Sequence, residues 1–173
     1  LYAEITAAGQ LAQLAGSGTS LVELRANLPA ASWWREANGQ SVRAYAVSAS
    51  VGDGWEKLEA LDKLEGASVA HEAECHYVVE TDIPASAEAD FNAWYTTEHL
   101  PGLARVPGTV QARRYRRVTG SPRYLACYDL LSPAVMERDE WLAVRHTPWS
   151  ARVRPLFNNT RRTLYVRCSG GAT

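Results

Sequence analysis

The sequence predicts an α+β protein built from two ferredoxin-like halves. The second half of the chain orders its elements β-α-β-β-α-β. The first half repeats that order as α-β-β-α-β and lacks only the opening strand. A sheet with both helices on one face leaves the other face bare, and faces that carry Tyr and Arg are rarely left as one large exposed patch. We therefore expect the two sheets to pack face to face as an α+β barrel with a hollow between them.

The chain of 173 residues is long enough to bury a core. We place the first half at residues 1–74, the second half at residues 75–168 and a Gly-rich flexible tail at residues 169–173. The two halves of one chain are expected to pair with each other, and a homodimer of chains is the alternative arrangement.

The first half begins with a predicted amphipathic helix over residues 1–15, whose apolar residues lie about one helical turn apart and which ends at Gly16. Alternating patterns predict strands at residues 19–29 and 41–50. The segment between them is predicted to be a loop with a turn at Asn38-Gly39.

A second helix is predicted at residues 55–66, because Leu58, Leu61 and Leu64 fall on one stripe and Gly66 follows as a stop. The strand-like stretch at residues 67–84 is long for a single strand. It is predicted to form two strands or one strand that bends.

The second half has a clearer pattern. A strand at residues 75–83 leads to a helix at residues 87–99, with Ser86 as its N-cap. Pro101 is expected to disrupt that helix, because proline lacks the N–H that the helix needs.

Turn residues predict where the remaining elements begin and end. Pro107-Gly108 turns into a strand at residues 109–118, and a hairpin joins it to a strand at residues 123–131. Ser132-Pro133 opens a second helical stretch that Pro148 interrupts. The last strand is expected at residues 160–168.

Composition excludes several classes of function. The net charge of -1 and the charged fraction of 21% give no reason to expect a nucleic-acid partner. No apolar run approaches the roughly 20 residues of a membrane-spanning helix, and the first residues do not have the pattern of a signal peptide. Three cysteines without CxxC spacing, Cys75, Cys127 and Cys168, are expected to be buried, reduced thiols of a cytoplasmic protein.

Six Trp and eight Tyr against two Phe suit the wall of a cavity, since Tyr and Trp combine an apolar body with a polar tip. Tyr124 and Tyr128 share one face of their strand, while Leu125 and Cys127 take the other. Because faces that pack on helices favour compact aliphatic residues, we expect the Tyr face to line the hollow.

Two neighbouring strands add polar candidates. Arg113 and Tyr115 lie on one side of their strand and Arg114 and Arg116 on the other, and the alternation does not decide which row faces inward. On the first strand of this half, Tyr77 and Val79 oppose His76 and Glu80. An inward Arg beside several Tyr would hold a carboxylate, enolate or phenolate.

His99 is the candidate for general acid/base catalysis, because an imidazole titrates near neutral pH. Glu98 or Asp82 is the candidate carboxylate that would orient it. The alternative is structural, since a His at a helix C-terminus interacts favourably with the helix dipole.

Five further aromatic or titratable residues lie near His99 or a helix break. Trp94 and Phe91 have the helical spacing of core residues, whereas the hydroxyl of Tyr95 needs a partner and favours the cavity edge. His146 and Trp149 flank Pro148, where they would cover one end of the cavity.

No cofactor is predicted. His71 and His76 have no carboxylate at metal-ligand spacing, so no metal site is expected. The chain has no GxSxG, GxGxxG or Walker pattern. A single His ligand has no spacing signature, so the sequence leaves haem open.

Several motifs resemble the EthD-like proteins of the dimeric α+β barrel superfamily. They are "WYTTEHLP", "VPG" and "YLACYDL", and the resemblance covers residues 77–166. It implies a barrel fold, and the superfamily includes isomerases, polyketide cyclases, cofactor-free oxygenases and haem-dependent enzymes. Nothing in the first half matches the "EHLP" motif, so the resemblance implies a single site.

From the residues and the resemblance together, we expect a cofactor-independent lyase, isomerase or cyclase. It would bind a small aromatic, hydrophobic or polyketide-like ligand in the barrel, with His99 moving a proton. The alternatives are a non-catalytic binding or accessory protein of the same fold and a haem-dependent enzyme.

Overall fold

Eight antiparallel strands of this single chain close into a barrel in the computed structural model, which describes residues 10–16, 32–38, 42–48 and 56–167. The strands are β1 (Gln10–Gly16), β2 (Ser32–Glu36), β3 (Val42–Ser48), β4 (Glu56–Glu65), β5 (Cys75–Asp82), β6 (Thr109–Arg117), β7 (Tyr124–Leu130) and β8 (Asn158–Arg167). Around the barrel they run β1-β3-β2-β8-β5-β7-β6-β4, and β4 pairs back to β1.

Two groups of helices connect the strands of the second half. Between β5 and β6 lie a 3₁₀ turn (Ala85–Ala87), α1 (Glu88–Trp94), a π-helix (Tyr95–His99) and α2 (Leu100–Ala104). Between β7 and β8 lie a 3₁₀ helix (Pro133–Glu137), α3 (Asp139–Arg145), α4 (Pro148–Val153) and a 3₁₀ turn (Arg154–Leu156). Their apolar side chains pack on the outer face of the sheet β8-β5-β7-β6.

The second half therefore has the predicted β-α-β-β-α-β order and is a ferredoxin-like α+β unit. Two local predictions within it are wrong. Ser86 is not the N-cap of α1, because a 3₁₀ turn precedes the helix and Ala87 takes that position. Pro101 does not end the helix, which continues to Ala104 after the π-helix.

The element types of the first half differ from the prediction. Gln10–Gly16 and Glu56–Glu65 are strands where helices were expected, and Ser32–Glu36 is a strand where a loop was expected. The predicted strand at Val42–Ser48 is confirmed. The predicted strand at residues 19–29, the turn residue Gly39 and Cys168 lie outside the described residues.

A bulge explains why β4 resembles a helix in sequence. Its pairing with β6 shifts register between Ala60 and Asp62, so that Leu61 is the extra residue. Leu58 packs inside the barrel, whereas Leu61 and Leu64 pack on the helix side. Since a bulge interrupts the two-residue alternation, three leucines spaced by three residues arise in a strand.

The opening strand that the first half was expected to lack is present as β1. The first four strands are arranged β4-β1-β3-β2, and the last four are arranged β8-β5-β7-β6. When the strands of each half are numbered 1 to 4 along the chain, both halves have the same spatial order, 4-1-3-2. The tandem repeat itself stays a prediction, because most of the segments between the first four strands lie outside the described residues.

The barrel interior contains charged side chains that pair with each other. Glu80 accepts hydrogen bonds from Arg43 and Arg117, which reach it from two other strands. Asp129 contacts Nδ1 of His76 at 2.6 Å and accepts a hydrogen bond from Arg113 at 2.5 Å.

Further interior side chains surround this ionic network. The Tyr45 hydroxyl lies 2.9 Å from Nε2 of His76. The side chains of Trp34, Tyr115, Leu125 and Tyr165 pack in the same apolar cluster as Tyr45. The space between the two β-layers is thus occupied by paired and packed side chains.

The prediction that the face of Tyr124 and Tyr128 lines this interior is wrong. Both tyrosines face the helices, and Tyr128 packs edge-to-face on Trp141 of α3 at 5.3 Å. The opposite face of β7 points into the barrel and carries Leu125, Cys127 and Asp129. On β7 the two tyrosines pack against aromatic side chains of the helices, whereas Asp129 of the opposite row pairs with charges across the barrel.

The stability of the barrel is predicted to depend on Glu80. Burial acts to raise its pKa, but Arg43 and Arg117 outweigh burial and the pKa is lowered. We expect Glu80→Gln to lower the free energy of unfolding by roughly 3 kcal/mol near pH 7, because it leaves buried Arg43 without its carboxylate partner and Arg117 with only the half-exposed Glu56. The matched control is Glu59→Gln, which removes a half-exposed partner of Arg116 and is expected to change it by less than about 1 kcal/mol.

Urea unfolding measured between pH 7 and pH 3 tests this prediction. Because the pKa of Glu80 is lower in the folded state than in the unfolded state, its ionised form stabilises the fold. This stabilisation is complete above the unfolded pKa of about 4.3 and is lost as the pH falls through the folded pKa. The difference between wild type and Glu80→Gln should therefore shrink in acid. Equal stability losses for the two variants would contradict the role given to Glu80.

Candidate active site

A cavity of about 30 Å³ lies between the helix layer and the outer face of the sheet β8-β5-β7-β6. The strands contribute its floor and the helices its walls and rim. Its lining residues are Tyr77, Val79, Trp94, Tyr95, His99, Leu103, Tyr128, Trp141, Arg145, Arg154, Phe157 and Arg162.

The π-helix positions two of the cavity residues. The N–H of Leu100 donates to the carbonyl of Tyr95, five residues earlier, instead of the four of an α-helix. Pro101 follows at once and has no N–H to bond the carbonyl of Thr97, so the wider turn accommodates the proline. Tyr95 and His99, the first and last residues of this turn, are both buried at the cavity.

His99 is held between aromatic rings. Its imidazole stacks on Trp94 with ring centroids 4.1 Å apart and meets Tyr95 edge-on at 5.3 Å. The side chain is 6% exposed, and its Nδ1 atom has no hydrogen-bond partner. A buried nitrogen without a partner at a cavity wall is available to a ligand.

The electrostatic surroundings keep His99 neutral. Burial, followed by the positive charges of Arg154 and Arg145, lowers its pKa to about 3. A hydrogen bond to the Val144 backbone acts weakly in the opposite direction. At neutral pH the ring therefore carries a free lone pair, which accepts a hydrogen bond or a proton.

The tyrosines of the cavity remain protonated. Burial raises the pKa of Tyr95 to about 12 and that of Tyr128 well above its usual value. Tyr77 and Tyr128 stack at 6.3 Å, and the Tyr128 hydroxyl is buried without a partner. It is thus free to donate a hydrogen bond to an oxygen atom of a ligand.

The structure brings together five of the residues that the sequence nominated: Tyr77, Trp94, Tyr95, His99 and Tyr128. Tyr124 lies beside a smaller hollow with Phe91 and Tyr95, and its hydroxyl donates to Glu88.

The other nominated residues lie elsewhere. Arg113 and Tyr115 belong to the barrel interior. His146 is exposed at the end of α3, and the indole N–H of Trp149 donates to Asp90 at 3.0 Å.

Neither carboxylate that was expected to orient His99 has that role in this structure. Glu98 accepts a hydrogen bond from the Thr147 hydroxyl at 2.6 Å, and this contact links the π-helix to the start of α4. Asp82 accepts hydrogen bonds from Ser121 and from the Arg123 backbone in the β6–β7 turn. The ring of His99 is positioned by Trp94 and by Val144 instead.

Sequence reasoning missed three arginines of the cavity, Arg145, Arg154 and Arg162. Runs of basic residues on strands are usually solvated, and Arg162 follows Arg161 in such a run. The three come from different elements, so no sequence spacing connects them. An excess of Arg over acidic residues between residues 142 and 162 was the one available signal.

Comparison with known proteins identifies the fold. No family model matches the chain, and no curated protein matches it. A solved structure from Listeria monocytogenes, described as an uncharacterised ferredoxin-fold protein related to antibiotic biosynthesis monooxygenases, has a TM-score of 0.66 at 11% identity, over 93% of this chain and 96% of that one.

Two further solved structures have the same fold. A haem-degrading enzyme from Listeria monocytogenes has a TM-score of 0.64 at 14% identity, over 92% of this chain and 99% of that one. An anthrone oxidase-like protein has a TM-score of 0.63 at 11% identity, over 92% of each chain. This chain therefore has the ferredoxin-like α+β fold that these solved structures share.

The cavity of about 30 Å³ is smaller than haem. Ligand pockets for drug-sized molecules measure roughly 300 Å³ or more, about ten times the present volume. Haem, like any aromatic ligand, would therefore enter only if the rim opened.

The described part of the chain has no helix that is long and apolar enough to cross a membrane. The same residues include no group of three or more His, Cys, Asp or Glu side chains arranged to hold a metal ion.

The neutrality of His99 is a testable prediction. In an NMR titration we expect its ring to remain neutral until about pH 3, and His99→Gln assigns the resonance by its loss. Arg154→Gln removes a nearby positive charge and should raise the pKa of His99. Titration of His99 near 6.5, the value of an exposed histidine, would contradict this assignment.

Proposed function

We propose that this protein is a small-molecule enzyme that works without a bound cofactor and removes a proton from an aromatic substrate in the cavity. The observation that carries the proposal is the buried imidazole of His99, whose Nδ1 has no partner at the wall of an aromatic cavity. Its pKa of about 3 belongs to the empty site, and a bound substrate must offset the positive charges of Arg154 and Arg145 before the ring becomes an effective base. We retain the resemblance to EthD-like proteins and the lyase, isomerase or cyclase type of reaction as parts of this proposal.

The reaction begins with transfer of a proton from an acidic C–H or O–H of the substrate to Nδ1 of His99. The electron pair of the broken bond delocalises onto a substrate oxygen as an enolate or phenolate. The unpartnered hydroxyl of Tyr128 donates a hydrogen bond to that oxygen. The imidazolium of His99 then returns the proton to another atom of the substrate or to a leaving group.

Entry of the substrate requires movement at the rim. A volume of about 30 Å³ holds about two water molecules, which is less than an aromatic ring. Arg145 and Arg154 at the rim are partly exposed and Arg162 is exposed. These long side chains are the groups that we expect to move aside, while Trp94 and Tyr128 stay packed.

A second candidate function is cofactor-independent oxygenation. Solved structures of the same fold are described as related to antibiotic biosynthesis monooxygenases and as anthrone oxidase-like. The carbanion formed by His99 is electron-rich enough to be oxidised by O₂. For a CH₂ group between two aromatic rings, one oxygen atom becomes the new carbonyl and the other leaves as water with both hydrogens.

Anthrone is a probe for both functions, because its CH₂ group is acidic. Under nitrogen in D₂O, we expect the protein to accelerate exchange of that group's hydrogens. Replacement of His99 by Gln should slow the catalysed exchange by roughly 100-fold or more, the usual contribution of a general base. Exchange is followed by NMR, and uptake of O₂ in air then separates oxygenation from isomerase-type chemistry.

The matched control is His71→Gln, which changes an exposed histidine outside the cavity and should leave the exchange rate unchanged. Equal rates for wild type and His99→Gln would remove His99 from the mechanism. Quenching of tryptophan fluorescence by anthrone that is lost in Trp94→Phe, with no exchange and no O₂ uptake, would indicate a binding protein instead.

A further inference from the structure

Three arginines from three separate elements meet at the rim of the cavity. Arg145 is the last residue of α3, Arg154 begins the 3₁₀ turn after α4, and Arg162 lies on β8. Although the three residues lie between positions 145 and 162, they belong to different elements, and it is the packing of the helix layer on the sheet that brings the three guanidinium groups together.

These rim arginines differ from most others in the chain. Nine arginines in the described ranges have a carboxylate within ion-pair distance: Arg43, Arg113, Arg114, Arg116, Arg117, Arg123, Arg138, Arg152 and Arg167. No described carboxylate lies that close to Arg145, Arg154 or Arg162. Three like charges thus share the rim without a described counter-charge.

The contacts of Arg154 leave donors free for a ligand. Its Nη1 donates to the Arg145 carbonyl at 3.1 Å, which ties the side chain to the end of α3. A guanidinium has five N–H donors, so four remain available. Burial, followed by the charges of Arg145 and Arg162, lowers the pKa of Arg154, which indicates that the three groups repel each other.

The positive field of the rim extends over the cavity floor. Burial raises the pKa of Tyr77, and the charges of Arg162, Arg145 and Arg154 oppose that rise. Among the lining residues, Nδ1 of His99, the hydroxyl of Tyr128 and Nε1 of Trp94 are buried without partners. The site therefore offers positive charge at its mouth, aromatic walls and three unpartnered polar atoms.

We infer that Arg145, Arg154 and Arg162 form an anion subsite and that the substrate is an aromatic compound with a carboxylate group. This inference rests on the proposed function of the cavity and names its substrate class. A planar carboxylate accepts two parallel hydrogen bonds from a guanidinium, which orients the ring of the ligand between Trp94 and Tyr128.

The same subsite controls the basicity of His99. The charged groups that act on the ring are Arg154, Arg145 and Arg114, and its titratable ring neighbour is Tyr95. A carboxylate bound at the rim cancels part of the positive field from Arg154 and Arg145. His99 thereby becomes a stronger base when the substrate is bound.

Benzoate and benzamide test the subsite, because they share a ring and differ in charge. Calorimetry at low salt should show benzoate binding more tightly than benzamide. Arg154→Gln and Arg162→Gln should each weaken benzoate by about 10-fold or more, as expected for a charge-assisted hydrogen bond, and leave benzamide within about 2-fold. The matched control is Arg161→Gln, which removes an equal charge one residue from the subsite and should change neither affinity.

The increased basicity of His99 is tested separately, by the uptake of protons when a carboxylate binds. At pH 5, benzoate binding measured in two buffers of different ionisation enthalpy should show proton uptake, and His99→Gln should abolish that uptake. Equal binding of benzoate and benzamide, or equal losses in Arg161→Gln and Arg162→Gln, would overturn the inference.

The experiments distinguish failure of the anion subsite from failure of the proposed reaction. If wild type exchanges the hydrogens of neutral anthrone but does not prefer benzoate, the anion subsite is wrong and the proposed reaction stands. If benzoate binds with the expected arginine dependence but neither anthrone nor an anthrone that carries a carboxylate is exchanged, the subsite stands and the catalytic role of His99 is wrong.

Discussion

Pairing of charge inside the barrel is the constraint on which the rest of the structure depends. Glu80 on β5 sits between Arg43 of β3 and Arg117 of β6, and Asp129 sits between His76 and Arg113. Buried charges are tolerated only when they are paired in this way. A slip of one residue in β5 or β7 would turn Glu80 or Asp129 outward and leave the buried arginines unpaired, so the ionic network specifies the register of these strands.

The pairing of charge inside the barrel also decides where the cavity lies. Because the interior rows carry the charges, the alternate rows of β5, β7 and β8 face the helices with Tyr77, Tyr128 and Arg162. The helix layer supplies the opposing wall, and the π-helix turns Tyr95 and His99 toward it. The cavity is thus a product of the junction between sheet and helices, outside the barrel.

The pairing of charge inside the barrel also explains why the two buried histidines, His76 and His99, have different chemical roles. His76 is part of the barrel network, with Asp129 on one nitrogen and Tyr45 on the other. Its hydrogen-bonding capacity is used by the fold. His99 is surrounded by rings and positive charge, so it remains neutral with one nitrogen unused. Only the second arrangement suits proton transfer to a ligand.

The sequence by itself determined the elements of the second half and the two faces of each of its strands, because alternation and turn residues are local properties. It also nominated Tyr77, Trp94, Tyr95, His99 and Tyr128, which the fold gathers around one cavity. Only the tertiary structure decided which face of β7 points inward, since that depends on charges contributed by distant strands. The bulge at Leu61 and the meeting of Arg145, Arg154 and Arg162 were likewise beyond the sequence, because strand pairing and helix packing bring together residues that no local spacing connects.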